Sequence, residues 1–352
     1  MTLLPRIECR RPIDREIARV QRERMGDVNL RPSLISREAL AADRVTTAPV
    51  RLAHSDATHP LLSGVQPVRP SLYRTERKHA ADFPIHNYTG PLFRGAAKPT
   101  DVLQNQLGDC DEQAAARALA AAQPTLVRQL VRAVPKQPGV AEIRFANGDA
   151  VPIDGHFASQ KKDVVLYGGG PGVQAPKTML TWNAKLEAGT AAELSKLSGK
   201  PASYDALGDG GDPGDILKLW VGGKIQDLTT KRASTDSLWA AISAAVKKHD
   251  PETLTTYDDK TFKYKGTGII GDHTNAITSV KVENGTRYVQ IQNPWGEHEP
   301  GFDPVKGKSQ APNDGKNDGI FWLSIEDVKK YYEGVQIDHL TGKLRLANKP
   351  TA

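Results

Sequence analysis

Between residues 89 and 335 the hydrophobic pattern changes character along the chain, and that order limits the possible folds more than any other feature. The earlier part is rich in helix formers. CDEQAAARALAAAQ, starting at residue 110, is built of Ala, Leu and Arg, which lose little side-chain freedom in a helix. PTLVRQLVRAV follows as a second helical piece, and TWNAKLEAGTAAELSKL (181–197) is a third. VAEIRFANGDAVPID and KDVVLYG lie between them as β-type runs, with Asn147, Gly148 and Asp149 as turn residues. The Gly-, Pro- and Asp-rich LGDGGDPGD (207–215) reads as an irregular loop. STDSLWAAISAAVKKH is a further helix, with Ser234 or Thr235 as N-cap. Beyond it GTGIIGDHTNAITSVKVENGTRYVQIQNPWG holds two apolar strands joined by Glu283, Asn284 and Gly285, and Asn-Gly is a strong hairpin signal. GIFWLSI is a late strand running into the short helix EDVKKYY. Helices first and antiparallel strands after them argue for the α+β class.

The first 88 residues differ. They carry 15 basic side chains against 10 acidic ones, with scattered Pro, Ser and Thr and no sustained period over 31–70, so residues 1–88 read as a basic, partly disordered N-terminal segment with one short helix over 13–25. Residues 89–352 form the main domain. Mixed signs and few aromatics argue against specific nucleic-acid recognition. The segment suits docking, delivery or inhibition instead, with delivery machinery or an inhibitor as its partner. No apolar run reaches the roughly 20 residues of a membrane span, and charges stand where a signal peptide has its apolar stretch. The expectation is cytoplasmic synthesis without membrane insertion, with any export or injection by a route that needs no cleaved signal peptide. Two cysteines, Cys9 and Cys110, cannot build a disulfide framework or a zinc site, which points to a reducing compartment.

DVLQNQLGDCDEQ (101–113) places Cys110 at the start of the first strong helix, where unsatisfied N–H groups and the helix dipole favour a thiolate. A cysteine nucleophile needs a base within hydrogen-bond reach and a third group to orient that base. His273 stands at one strand start and Asn293 at the end of the next, so hairpin pairing can bring both to one face. Gln104, six residues before the cysteine, can donate its amide to an oxyanion beside the Cys110 N–H.

These residues, taken together, resemble the calpain-type papain-fold cysteine peptidases. That family carries a Gln-Gly-x-Leu-Gly-Asp-Cys-Trp stretch, matched here by Gln104, Leu107, Gly108, Asp109 and Cys110. Its Gly-His-Ala strand opening is matched by His273, and its Asn-Pro-Trp-Gly motif stands as Asn293, Pro294, Trp295 and Gly296. TWNAKLEAGTAAELSKLSGKPASYDALGDG and DGIFWLSIEDVKKYY look like further family segments, so the likeness spans roughly residues 90–335.

The resemblance implies a two-lobed fold, with a helical lobe carrying Cys110 and an antiparallel β-rich lobe carrying His273 and Asn293. It also implies a cysteine endopeptidase that acts on protein or peptide substrates through an acyl-enzyme. Cys110 would be nucleophile, His273 general base and acid, Asn293 ring orienter and Gln104 oxyanion donor. Gly210 and Gly211 would line the substrate cleft, and Trp295 would shield the Asn–His hydrogen bond. Two other readings keep the fold: a glutamine deamidase or transamidase, and an inactive pseudopeptidase serving as a binding module. An effector or toxin role fits the Ala- and Arg-rich usage beside a peptidase unit.

Two positions depart from the family pattern: Asp111 replaces the Trp after the nucleophile, and Asp272 the Gly before the histidine. A carboxylate beside the thiol disfavours the thiolate unless it points outward or pairs with a cation. Asp101, Glu299 and Asp318 match family calcium ligands and are weak candidates for that metal. Leu180 and Ile320 stand where acidic partners are expected, so no cofactor is required and calcium is not favoured.

Overall fold

The computed structural model describes residues 66–160, 164–171, 174–258, 264–300 and 314–341. Among them the chain builds two hydrophobic cores, one under the helices and one under a large antiparallel sheet. The helix expected over 13–25 lies outside the described residues.

The helical lobe begins with a short helix α1 (Arg74–Arg77) and strand β1 (Ile85–Asn87), then α2 (Cys110–Ala122) and α3 (Pro124–Leu130). β2 (Val131–Ala133), β3 (Ala141–Arg144) and β4 (Ala150–Ile153) form a three-stranded antiparallel sheet, and β5 (His156–Ala158) pairs with β1. α4 (Trp182–Leu197) and α5 (Pro213–Val221) close this lobe. Its core includes the fully buried Trp182 and Trp220 together with Leu107, Leu119 and Ile143. Tyr73 and Tyr88 belong to the same core, so residues 66–88 pack against the helices, and Arg74 and Arg77 pair with Asp209 and Asp205.

The second lobe holds β6 (Lys224–Thr229), α6 (Thr235–Lys248), β7 (Glu252–Thr256), β8 (Thr274–Glu283), β9 (Thr286–Gln292), β10 (Ile320–Ser324), α7 (Ile325–Tyr331) and β11 (Tyr332–His339). Its six strands run in the order β10-β9-β8-β7-β11-β6, every pair antiparallel. The β8–β9 hairpin turns on Asn284 (φ +49°) and Gly285 (φ +79°), the pair of positive φ values that a two-residue hairpin needs and Asn-Gly supplies. The molecule is α+β in the two-lobed arrangement expected, and α2 crosses from its own lobe to pack on β7 and β8.

Local expectations fail in three places. The second helical piece ends at Leu130, and Val131–Ala133 becomes an edge strand pairing with β3. The loop over 207–215 is shorter than expected because Asp212 caps a helix. Its carboxylate accepts from Gly214 N (2.8 Å) and Asp215 N (3.3 Å), and Pro213 fills the first helical position, where a missing N–H costs nothing. The described part of KDVVLYG makes only an isolated bridge, Ser159 to Val165. Asp111 and Glu112 lie in the first turn of α2 and are buried, at 2% and 0% exposure.

Candidate active site

Cys110 is the first residue of α2 and is 3% exposed. His273 immediately precedes β8, locked at both main-chain groups: its N–H donates to Thr256 Oγ1 (3.0 Å), and its carbonyl accepts from Thr256 N (2.9 Å). Asn293 immediately follows β9, with its N–H on Gly319 O at 2.8 Å. Adjacent strands thereby bring the two side chains together, and His273 Nε2 lies 2.8 Å from Asn293 Oδ1. Oδ1 can only accept, so Nε2 carries the proton in this pair and Nδ1 is the basic nitrogen.

Asn293 is itself fixed. Its Nδ2 donates to Glu297 O (2.8 Å), and its Oδ1 also accepts from Trp295 N (3.0 Å). The Trp295 ring lies 4.6 Å from the imidazole, centre to centre, tilted by 48°, and is 7% exposed. Gln104 donates Nε2 to Leu107 O (2.7 Å), and its main-chain N–H reaches Pro294 O (2.9 Å), tying the loop before the nucleophile to the turn after Asn293. Gly210 sits in the loop before α5 with φ +73°, and Gly211 follows it.

Asp111 lies against Gly211: a Cβ on that glycine would come within 2.8 Å of Asp111 Oδ2. The carboxyl is therefore turned inward, and among the described residues it forms no ion pair. Burial first, then the charges of Asp109 and Asp212, push its pKa up to about 8. At pH 7 it is mostly the neutral acid, and its charge does not oppose the thiolate. Asp109, Glu112 and Glu187 are also buried and raised, chiefly by desolvation, Asp109 to about 6. Gln113 Nε2 bridges Glu112 Oε2 (2.7 Å) and Asp109 Oδ2 (3.1 Å), while Glu187 accepts from Gly168 N at 2.8 Å. Asp272, in place of a glycine, adopts φ +50°, a left-handed conformation that Asp tolerates better than most residues.

Calcium wants six to eight oxygens, and the candidate ligands are poorly disposed to give them. Asp101 Oδ2 accepts from Lys98 N (2.9 Å) and lies 3.4 Å from Trp182 Nε1. Glu299 is raised to about 7 by burial and by the charges of Asp318 and Asp314. Among the described residues no group of three or more His, Cys, Asp or Glu side chains is arranged to hold a metal ion.

Sequence reasoning missed Arg117. It sits seven residues after Cys110, and two helical turns return to the same face; the signal was one cation inside an alanine-rich stretch. Arg117 is 3% exposed, donating Nη2 to Val102 O (2.8 Å) and Nη1 to Gln292 Oε1 (3.2 Å).

Residues 76–339 match the family model described as "Calpain family cysteine protease". Calpain-9 of Rattus norvegicus is 27% identical over 274 residues, covering 70% of this chain and 37% of that protein. The calpain-type cysteine protease DEK1 of Arabidopsis thaliana is 25% identical over 262 residues, covering 70% and 12%. Calpain-12 of Mus musculus is 28% identical over 262 residues, covering 69% and 34%. The chain thus spans little more than a third, or less, of the length of these relatives.

Proposed function

Because the chain belongs to the calpain family of cysteine proteases, we propose that it is an active cysteine endopeptidase working through Cys110, His273 and Asn293. The observation that carries this reading is the 2.8 Å contact between His273 Nε2 and Asn293 Oδ1 under the Trp295 ring. It fixes the tautomer in which Nδ1 is the base.

His273 Nδ1 takes the Cys110 proton, and the thiolate sulfur attacks the carbonyl carbon of a peptide bond. The carbonyl oxygen becomes an oxyanion. One hydrogen of Gln104 Nε2 is engaged by Leu107 O; the reading assigns the other, with Cys110 N–H, to that oxyanion. A donor of this kind is worth about 3–4 kcal/mol in the transition state. Collapse breaks the C–N bond, and the amine leaves with the proton from His273, giving the acyl-enzyme. Water then gives up a proton to His273 and hydrolyses the thioester. The neutral Asp111 supports a substrate loop at Gly211 without charging the site. Calcium has no part in this reading, and the substrate is a protein or peptide.

The test is product analysis after incubating the reduced protein, and its Cys110→Ala variant, with a protein mixture. New peptide termini that require Cys110 are expected. A gain of one dalton on glutamine without cleavage would replace the peptidase by a deamidase. Neither product from a folded protein would leave a binding module.

A further inference from the structure

We propose that Arg117 is a positioning residue that holds the two lobes of the site in register, so that alignment of the triad needs no calcium; this rests on the peptidase reading above. Its guanidinium is buried at the junction of the lobes. On one side Nη2 holds Val102 O (2.8 Å), next to Asp101 and two residues before Gln104; on the other, Nη1 holds Gln292 Oε1 (3.2 Å), on the residue before Asn293. One side chain therefore reaches the oxyanion loop and the strand that delivers the imidazole-orienting amide, while its own helix starts at the nucleophile. A main-chain bond, Gln104 N to Pro294 O (2.9 Å), also joins these segments.

The cation also acts electrostatically on Asp318. Asp101 and Asp318, the weak calcium candidates, lie one on each side of the junction. Among the described residues neither belongs to a group of three or more His, Cys, Asp or Glu side chains that could hold a metal ion. Arg117 supplies a positive charge between the same two places through a covalent side chain that no chelator removes. Burying a guanidinium is expensive unless its donors are used; here Nη1 and Nη2 hold the two segments, while Nε is buried with no hydrogen-bond partner among the described residues. Burial of an Arg on the helix of the nucleophile is thereby explained by alignment, not by core packing.

The test labels Cys110 of the reduced full chain with a peptidyl electrophile and measures the second-order rate, in a chelator and in millimolar calcium, across pH. The wild type is expected to label equally fast with and without calcium. Arg117→Met should slow labelling about tenfold or more, as small misplacements do, and move the acid limb of the pH profile upward because the imidazole is no longer held. A merely structural role would lower the melting temperature and leave that limb in place. Arg117→Lys should fall between, since a point charge cannot hold both acceptors. Gln292→Leu, which removes one acceptor, should shift the profile in the same direction and decides the matter should Arg117→Met not fold. A folded Arg117→Met with the wild-type rate and profile, an unshifted Gln292→Leu, or a wild type that needs calcium would each overturn the proposal. A wild type that never labels, with calcium or without, would remove the peptidase reading and this proposal with it.

Discussion

Asp111→Asn is the substitution whose consequence can be worked furthest from the structure. The wild-type carboxyl is 2% exposed and its pKa is raised to about 8 by burial and neighbouring acids. In the unfolded chain it titrates near 3.9. Between those values the folded protein holds a proton that the unfolded chain has released, so stability falls as pH rises, by about 1.4 kcal/mol per pH unit for this one group. Its stabilising share is fully present below pH 4 and is lost as pH climbs through 8. An asparagine has the same shape and no proton to lose. The stability gap between Asp111→Asn and wild type should therefore widen by at most about 3 kcal/mol from pH 5 to pH 7. Urea unfolding under reducing conditions, followed by tryptophan fluorescence at pH 5, 6 and 7, reads that gap directly. Parallel pH curves for the two proteins would refute the reasoning, because they would mean that Asp111 is ionised in the folded state. The same carboxyl neutrality predicts that the labelling rate of Cys110 at pH 7 changes little in the variant.

Other buried acids point the same way: Asp109 is raised to about 6 and Asp338 to about 7, with Glu112, Glu187 and Glu252 also raised, so the wild type should melt at higher temperature at pH 5 than at pH 8, as calorimetry would show. Gln104→Ala should lower kcat by about a hundredfold with little change in KM, the usual loss for an oxyanion donor, measured with a fluorogenic peptide. Asp272→Gly relieves a left-handed residue at φ +50°; the gain of about 1–2 kcal/mol is partly offset by a more flexible unfolded chain, so urea unfolding should show a small net stabilisation. Gly211→Ala puts a Cβ within 2.8 Å of Asp111 Oδ2 and should destabilise by about 1–3 kcal/mol, as overpacking does, with a lower melting temperature.

What could be read from the chain depended on whether local chemistry or tertiary contact decides each feature. Asn284 and Gly285 announce their turn because few residues accept two successive positive φ values, and the hairpin they form explains why His273 and Asn293 meet. Helix α5 stayed hidden because LGDGGDPGD reads as pure loop chemistry, although Asp212 and Pro213 are also a cap and a first helical residue. β7 and β11 carry Glu252 and Asp338 at 1% and 0% exposure, positions that a polar-out pattern assigns to the surface. The fate of Asp111 was beyond sequence reasoning: outward, paired and neutral carboxyls look identical until the packing against Gly211 is known. Arg117 was invisible for a related reason, since helix propensity makes no distinction between an exposed arginine and one inserted between two lobes.

The central claim is that His273, held by Asn293, makes Cys110 a nucleophile. The most direct measurement is the rate at which a peptidyl electrophile modifies the reduced protein near pH 7, with the label mapped by mass spectrometry, in wild type and in His273→Ala. Modification confined to Cys110, and slowed about a hundredfold or more without the imidazole, is the predicted result. Equal rates in the two proteins, or a label shared evenly between Cys110 and Cys9, would contradict it.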